Sequence, residues 1–179
     1  MIRRFITLPL TLLILIGCGT ALIDGEVPFV PTPVKVVDRM LDLAEVKPGD
    51  VVYDLGSGDG RIVIRAAKRY GVRGVGIEID SDLVRRSQIN AASEGVGHLV
   101  EFRAEDALAA DLSEATVVTL YMLPGFIAKL RPALERDLRK GSRIVSHDFP
   151  IEGWAPARVE EIAEGFWHRH KIYLWKIEK

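Results

Sequence analysis

The stretch Val51-Val52-Tyr53-Asp54-Leu55-Gly56-Ser57-Gly58-Asp59-Gly60-Arg61-Ile62-Val63-Ile64 decides how this chain folds. Residues 51–55 read as a buried strand, 56–60 as a glycine-rich turn, and 61–70 as a helix stopped by Gly71. A glycine turn between a strand and a helix lets backbone approach a ligand closely, and it aims the first N–H groups of the helix at that ligand. Loops of this kind bind adenine nucleotides of several sorts. The dinucleotide fingerprint would place its third glycine at position 61, where this chain has Arg61.

The same alternation continues on either side. Residues 24–33 form a proline-rich, extended lead-in, because each proline fixes its own backbone and pushes the residue before it out of the helical region. Thr32 is placed to cap a helix with Pro33 in its first position, and Val34, Val37, Met40, Leu41 and Ala44 give that helix one apolar face. Downstream, strands are expected over 74–79, 99–104, 116–122 and 143–149. Helices are expected over 80–94, capped by Ser81, and over 126–138, broken or kinked at Pro132. An antiparallel pair over 158–163 and 171–177 closes the sheet. This order implies an α/β fold: a mostly parallel sheet with helices on both faces.

The chain has 179 residues, the size of one domain, with 24 basic and 25 acidic residues for a net charge of -1. That balance provides no field to gather nucleic acid, so such a role would need a local basic patch and a charge-driven binder is disfavoured. The single cysteine, Cys18, excludes a disulfide framework and a cysteine-rich zinc site. A mean hydropathy of +0.14 is high for a soluble protein, and the surplus lies at the N-terminus. Met1-Ile2-Arg3-Arg4 precedes an apolar run through Cys18, which is the layout of a secretory signal. Leu15-Ile16-Gly17-Cys18 is similar to a lipoprotein cleavage box; read on to Ile23, the run approaches the length of a membrane anchor. A cleaved or lipidated signal, an uncleaved anchor and a start placed too far upstream all remain open. The expected division is a targeting or anchor segment over 1–23 and a catalytic domain over 24–179, associated with a membrane on an undetermined side.

Three acids sit where the loop would use them. Asp54-Leu55-Gly56-Ser57-Gly58-Asp59-Gly60 has the D-x-G-x-G-x-G spacing of class I methyltransferases, which bind S-adenosyl-L-methionine. Glu78 closes the second strand, 22 residues after Gly56, where a carboxylate can accept both ribose hydroxyls. Asp106, just after the third strand, can accept from the adenine amino group, and Asp54 supplies negative charge near the cationic methionine end. Together with Gly56, Ser57, Gly58 and Gly60 these form the expected cofactor site.

From Pro28 to the C-terminus the chain resembles one branch of class I methyltransferases: the broad-specificity archaeal protein-lysine methyltransferases and their mitochondrial relatives that modify the c-ring protein of ATP synthase and the adenine nucleotide carrier. The resemblance is carried by Pro28-Phe29-Val30-Pro31-Thr32-Pro33, the glycine loop through Ile64, Gly76-Ile77-Glu78, Ser146-His147-Asp148-Phe149 and Gly153-Trp154. It implies a Rossmann-like seven-stranded sheet with an antiparallel C-terminal strand, S-adenosyl-L-methionine as cofactor, and a protein substrate with an exposed lysine. Methylation of a small molecule or lipid, and a binding module without turnover, are the alternatives.

Methyl transfer needs the nucleophile about 3–3.5 Å from the methyl carbon. A lysine must also be neutral, which at pH 7 costs about 4.6 kcal/mol from a reference pKa near 10.4. Phe29, Tyr121 and Trp154 are candidates for the apolar mouth that offsets this cost, with Tyr121 the candidate catalytic residue. The Asn/Asp-Pro-Pro-Tyr motif of amide and nucleobase methyltransferases is replaced by Leu120-Tyr121-Met122-Leu123. No residue stands out as a general base. His168 and His170 would share one face of a strand, yet no acid or cysteine stands at ligand spacing beside them, so no metal is expected. After the sheet little chain remains for a substrate-enclosing cap, which favours a side chain presented by a larger partner.

Overall fold

The computed structural model describes residues 29–164 and 168–179. The expected segment over 1–23 lies outside these. Among the described residues, no helix is long and apolar enough to cross a membrane.

The chain runs α1 (Val34–Leu43), β1 (Val51–Leu55), α2 (Arg61–Tyr70), β2 (Arg73–Glu78), α3 (Ser81–Ser93), β3 (Val100–Ala104), β4 (Val117–Leu120), α4 (Pro124–Asp137), β5 (Arg143–His147), β6 (Arg158–Glu164) and β7 (His168–Lys176). The strands form one sheet in the order β3-β2-β1-β4-β5-β7-β6. β1 to β5 are parallel, and β7 runs antiparallel to both β5 and β6. Crossovers from β1 step outward one way and those from β4 step the other way, so a constant crossover hand puts their helices on opposite faces.

Strand alternation builds two cores. Tyr53, Leu55, Val118, Leu120, Ile144 and Trp175 point to one face, where they meet Ile127, Leu130 and Leu134 of α4. Val52, Val117, Val145, Ile172 and Leu174 point to the other, against Val36, Val37, Met40 and Leu41 of α1 and Ile62, Val63 and Ala66 of α2. Each fully buried side chain of this size contributes about 1.5–3 kcal/mol, and these layers hold the ends of β1, β2, β4 and β5 in place.

Three local expectations are corrected. α1 is capped by Pro33 with no side-chain bond, because the Thr32 hydroxyl pairs instead with His147 Nδ1 at 3.2 Å. The cap of α3 is Asp80 rather than Ser81: its carboxylate accepts from the N–H groups of Asp82 (2.7 Å) and Leu83 (3.4 Å). Of the break or kink expected at Pro132, the break does not occur: α4 runs through it as one helix, held by Leu130, Ala133 and Leu134 in the core.

Candidate active site

The carboxyl ends of β1, β2, β4 and β5 share one edge of the sheet. A cleft of about 760 Å³ opens there, where the strand order reverses between β1 and β4.

One half of the cleft is the glycine loop. The N–H groups of Gly56 and Ser57 donate to the carbonyl of Ile77 at 2.8 and 2.9 Å, pinning the loop to β2. Glu78 accepts from Gly58 N–H at 2.8 Å on one oxygen and from Asp80 N–H at 3.0 Å on the other. A carboxylate has about four acceptor positions, so a pair of ligand hydroxyls can still be taken. Gly58 has φ 54°, and a Cβ there would collide with the ring of Phe29, so only glycine fits beneath the lead-in. Arg61 fastens that lead-in: it makes a bidentate pair with Asp59 and donates to the carbonyl of Thr32 at 2.9 Å.

Two polar side chains of this half are buried. Ser57 lines the cleft; its hydroxyl oxygen is buried against Gly76 of β2 and has no hydrogen-bond partner among the described residues, an arrangement that costs about 1–3 kcal/mol. Asp54 also lines the cleft and is 3% exposed, accepting from the Thr119 hydroxyl at 2.7 Å. Burial pushes its carboxyl up to about 8; the Thr119 bond opposes this and the carboxylates of Glu78 and Asp59 reinforce it. A ligand cation would favour its charged form. Asp106 is exposed on the rim, one oxygen accepting from Leu108 N–H at 2.9 Å.

The other half is aromatic. Phe29, Tyr121, Phe126 and Phe149 line it. Tyr121 stacks toward Phe149, with centroids 6.2 Å apart, and its ring lies 4.0 Å from that of His147. Burial and the Asp148 carboxylate raise the Tyr121 phenol above its usual value, so it works as a neutral hydrogen-bonding group and not as a phenolate base. Trp154 lies elsewhere than expected. It packs beneath the guanidinium of Arg131 at 5.7 Å, its carbonyl accepts from Trp175 Nε1 at 3.1 Å, and it is absent from the cleft lining. Phe149 occupies the place expected of it.

Behind Tyr121 the fold assembles a group that sequence spacing did not reveal. His147 Nε2 lies 2.8 Å from His170 Nδ1, and Asp148 Oδ2 lies 3.3 Å from the first and 3.5 Å from the second. The acid missing near His170 in the sequence is supplied across the sheet, 22 residues away. The side chain of His168 lies outside the described residues.

A 3-2-1-4-5-7-6 sheet with one antiparallel strand, a glycine loop after β1 and an acid ending β2 defines a class I methyltransferase. The chain belongs to the ANTKMT methyltransferase domain family, whose model matches residues 54–158. It is 45% identical over 153 residues to a protein-lysine N-methyltransferase of Saccharolobus islandicus, covering 85% of this chain and 94% of that one. To the human lysine N-methyltransferase that is named for the c-ring protein of ATP synthase it is 36% identical over 74% of its length, spanning 56% of the human protein. Among solved structures, one titled as an RNA methyltransferase of Salinibacter ruber in complex with S-adenosyl-L-homocysteine is 57% identical, with TM-score 0.79, over 84% of this chain and 95% of that one.

Proposed function

We propose that this methyltransferase uses S-adenosyl-L-methionine to methylate the ε-amino group of lysines on protein partners. The observation that carries the choice of acceptor is the charge of the cleft. Its lining has five carboxylates, on Asp59, Glu78, Asp80, Glu105 and Asp106, and the Asp54 carboxyl that a cation would ionise, against one guanidinium, Arg61, which is already paired with Asp59. Such a lining attracts a cationic donor and a lysine ammonium and repels a phosphate backbone, so the substrate named for the Salinibacter neighbour is the less favoured acceptor. The Saccharolobus relative supports the same reading.

The cofactor supplies a methyl group on a sulfonium centre, transferred in line to nitrogen as the carbon–sulfur bond electrons return to sulfur. The chain's own part is positioning. Glu78 and Asp106 are placed to hold the nucleoside, Gly56 and Ser57 bring backbone close to it, and Asp54 balances positive charge. At the mouth, Phe29, Tyr121 and Phe149 strip water from the incoming amine, which favours its neutral form. The Tyr121 hydroxyl can accept from that amine and turn its lone pair toward the methyl carbon.

The reading includes membrane attachment through residues 1–23, which fractionation of the full chain against one lacking 1–23 tests. The acceptor is tested by labelled methyl transfer from S-adenosyl-L-methionine to a cell lysate. Methyllysine in protein bands is the expected result. Label that is lost on ribonuclease treatment, or that appears only in lipid or small molecules, overturns it.

A further inference from the structure

We propose that His147, Asp148 and His170 form a binding site for one divalent transition-metal ion of the zinc type, where the ends of β5 and β7 meet behind the acceptor mouth. The proposal stands apart from the methyl-donor reading, since none of the three side chains lines the cleft.

Donor geometry is the first argument. Three ligand atoms, His147 Nε2, His170 Nδ1 and Asp148 Oδ2, form a triangle with edges of 2.8, 3.3 and 3.5 Å. A tetrahedral zinc with bonds of about 2.0–2.1 Å places neighbouring donors about 3.3–3.4 Å apart, so the triangle is close to one face of that tetrahedron. A proton shared between the two imidazoles lies along one edge only. A cation at the centre engages all three atoms.

Chemistry and support agree. Two imidazoles and a carboxylate suit zinc and its transition-metal neighbours and not calcium or magnesium, which take oxygen ligands. Two other atoms of the set have outer partners of the kind that fix ligands: His147 Nδ1 meets the Thr32 hydroxyl at 3.2 Å, and Asp148 Oδ1 accepts from Lys171 N–H at 2.8 Å. His147 is wholly buried and His170 nearly so, while the Asp148 side chain is 25% exposed and marks the entry side. Asp148 holds φ at 59°, a left-handed conformation that aspartate adopts more readily than most residues. Because the His147 ring lies against Tyr121 and reaches Thr32, a bound ion would lock the wall of the acceptor mouth.

The test uses the full chain stripped with a chelator and titrated with zinc alone, followed by calorimetry and by elemental analysis after gel filtration. One zinc per chain is expected, with affinity at least tenfold lower in Asp148→Asn and His170→Ala and unchanged in His98→Ala, an exposed histidine outside the cluster. Asparagine tolerates the left-handed backbone at 148, so Asp148→Asn decides the matter if His170→Ala does not fold. Cobalt should give the intense visible absorption of a tetrahedral site, and it should vanish in Asp148→Asn. Failure of the unaltered chain to take up one equivalent of zinc, or equal affinity in all variants, overturns the proposal whatever the outcome of the methyl-transfer assay.

Discussion

The two halves of the cleft are built differently. The half around the glycine loop takes Asp54, Ser57, Gly58 and Glu78 from one strand–loop–helix–strand segment, and backbone N–H groups of that segment bond to the Ile77 carbonyl and the Glu78 carboxylate within it. The aromatic half takes Phe29, Thr32, Tyr121, Phe149 and, behind them, His147 and His170 from segments up to 141 residues apart. A ligand-binding half whose backbone and acids come from one segment is preorganised by the sheet itself. A half made of side chains from distant segments can vary its acceptor without disturbing the fold. The sharpest break of this contrast is a substitution that harms one half and spares the other.

Glu78→Ala should have the largest effect. It removes the acceptor of Gly58 N–H and Asp80 N–H together with two bonds to ligand hydroxyls. Bonds to a charged group contribute about 1.5–3 kcal/mol each, so the Kd for S-adenosyl-L-methionine should rise by at least about a hundredfold by calorimetry. An unchanged Kd would take Glu78 out of the site.

Asp54→Asn should separate stability from binding. Below about pH 4 the carboxyl is protonated in both folded and unfolded chains and costs nothing. As pH climbs from there toward 8, the unfolded chain releases the proton and the folded chain keeps it, so stability falls through that window and levels off above it. The asparagine variant lacks this slope. Its Tm at pH 8 should exceed that of the unaltered chain, while its donor Kd rises about tenfold. Parallel Tm curves for the two proteins from pH 5 to 8 would show that Asp54 is not held neutral.

The same contrast explains what could be read from sequence. The strands, the glycine loop and Glu78 were legible because periodicity and spacing within one segment specify them; β1 and α2 fall at the expected residues. Thr32 was misread because its hydroxyl has two possible partners, the start of α1 and a histidine 115 residues away, and only packing chooses between them. Ser81 lost the cap to its neighbour Asp80, a choice settled by a one-residue shift in helix start. Pro132 was expected to break or kink α4; the helix is not broken there, because tertiary burial outweighs the local cost of a missing bond. His147, Asp148 and His170 meet only through the β5–β7 register, in which His147 pairs with Ile172, and no linear spacing signals it.

Tyr121→Phe probes the aromatic half. It keeps the stack on Phe149 and the ring contact with His147 and removes only the hydroxyl. The expected result is a kcat about fivefold lower on a protein substrate, with donor Kd unchanged within twofold. Because the phenol is held neutral, the pH–rate profile should keep its shape up to pH 9. Loss of a limb from that profile would make Tyr121 an acid or base.

Trp154 sets the lower bound of the series. Its ring packs on the α4 side of the sheet against Arg131, and the bond it gives to Trp175 is through its backbone carbonyl, which any side chain retains. Trp154→Phe therefore keeps an aromatic face for the guanidinium and loses contact area and the bond its indole N–H gives the exposed Glu135 carboxylate, costing about 0.5–1 kcal/mol of stability. Donor Kd and kcat should both stay within twofold of the unaltered chain. A fall in kcat beyond tenfold at unchanged Tm would return Trp154 to the mouth and extend the acceptor half beyond the cleft.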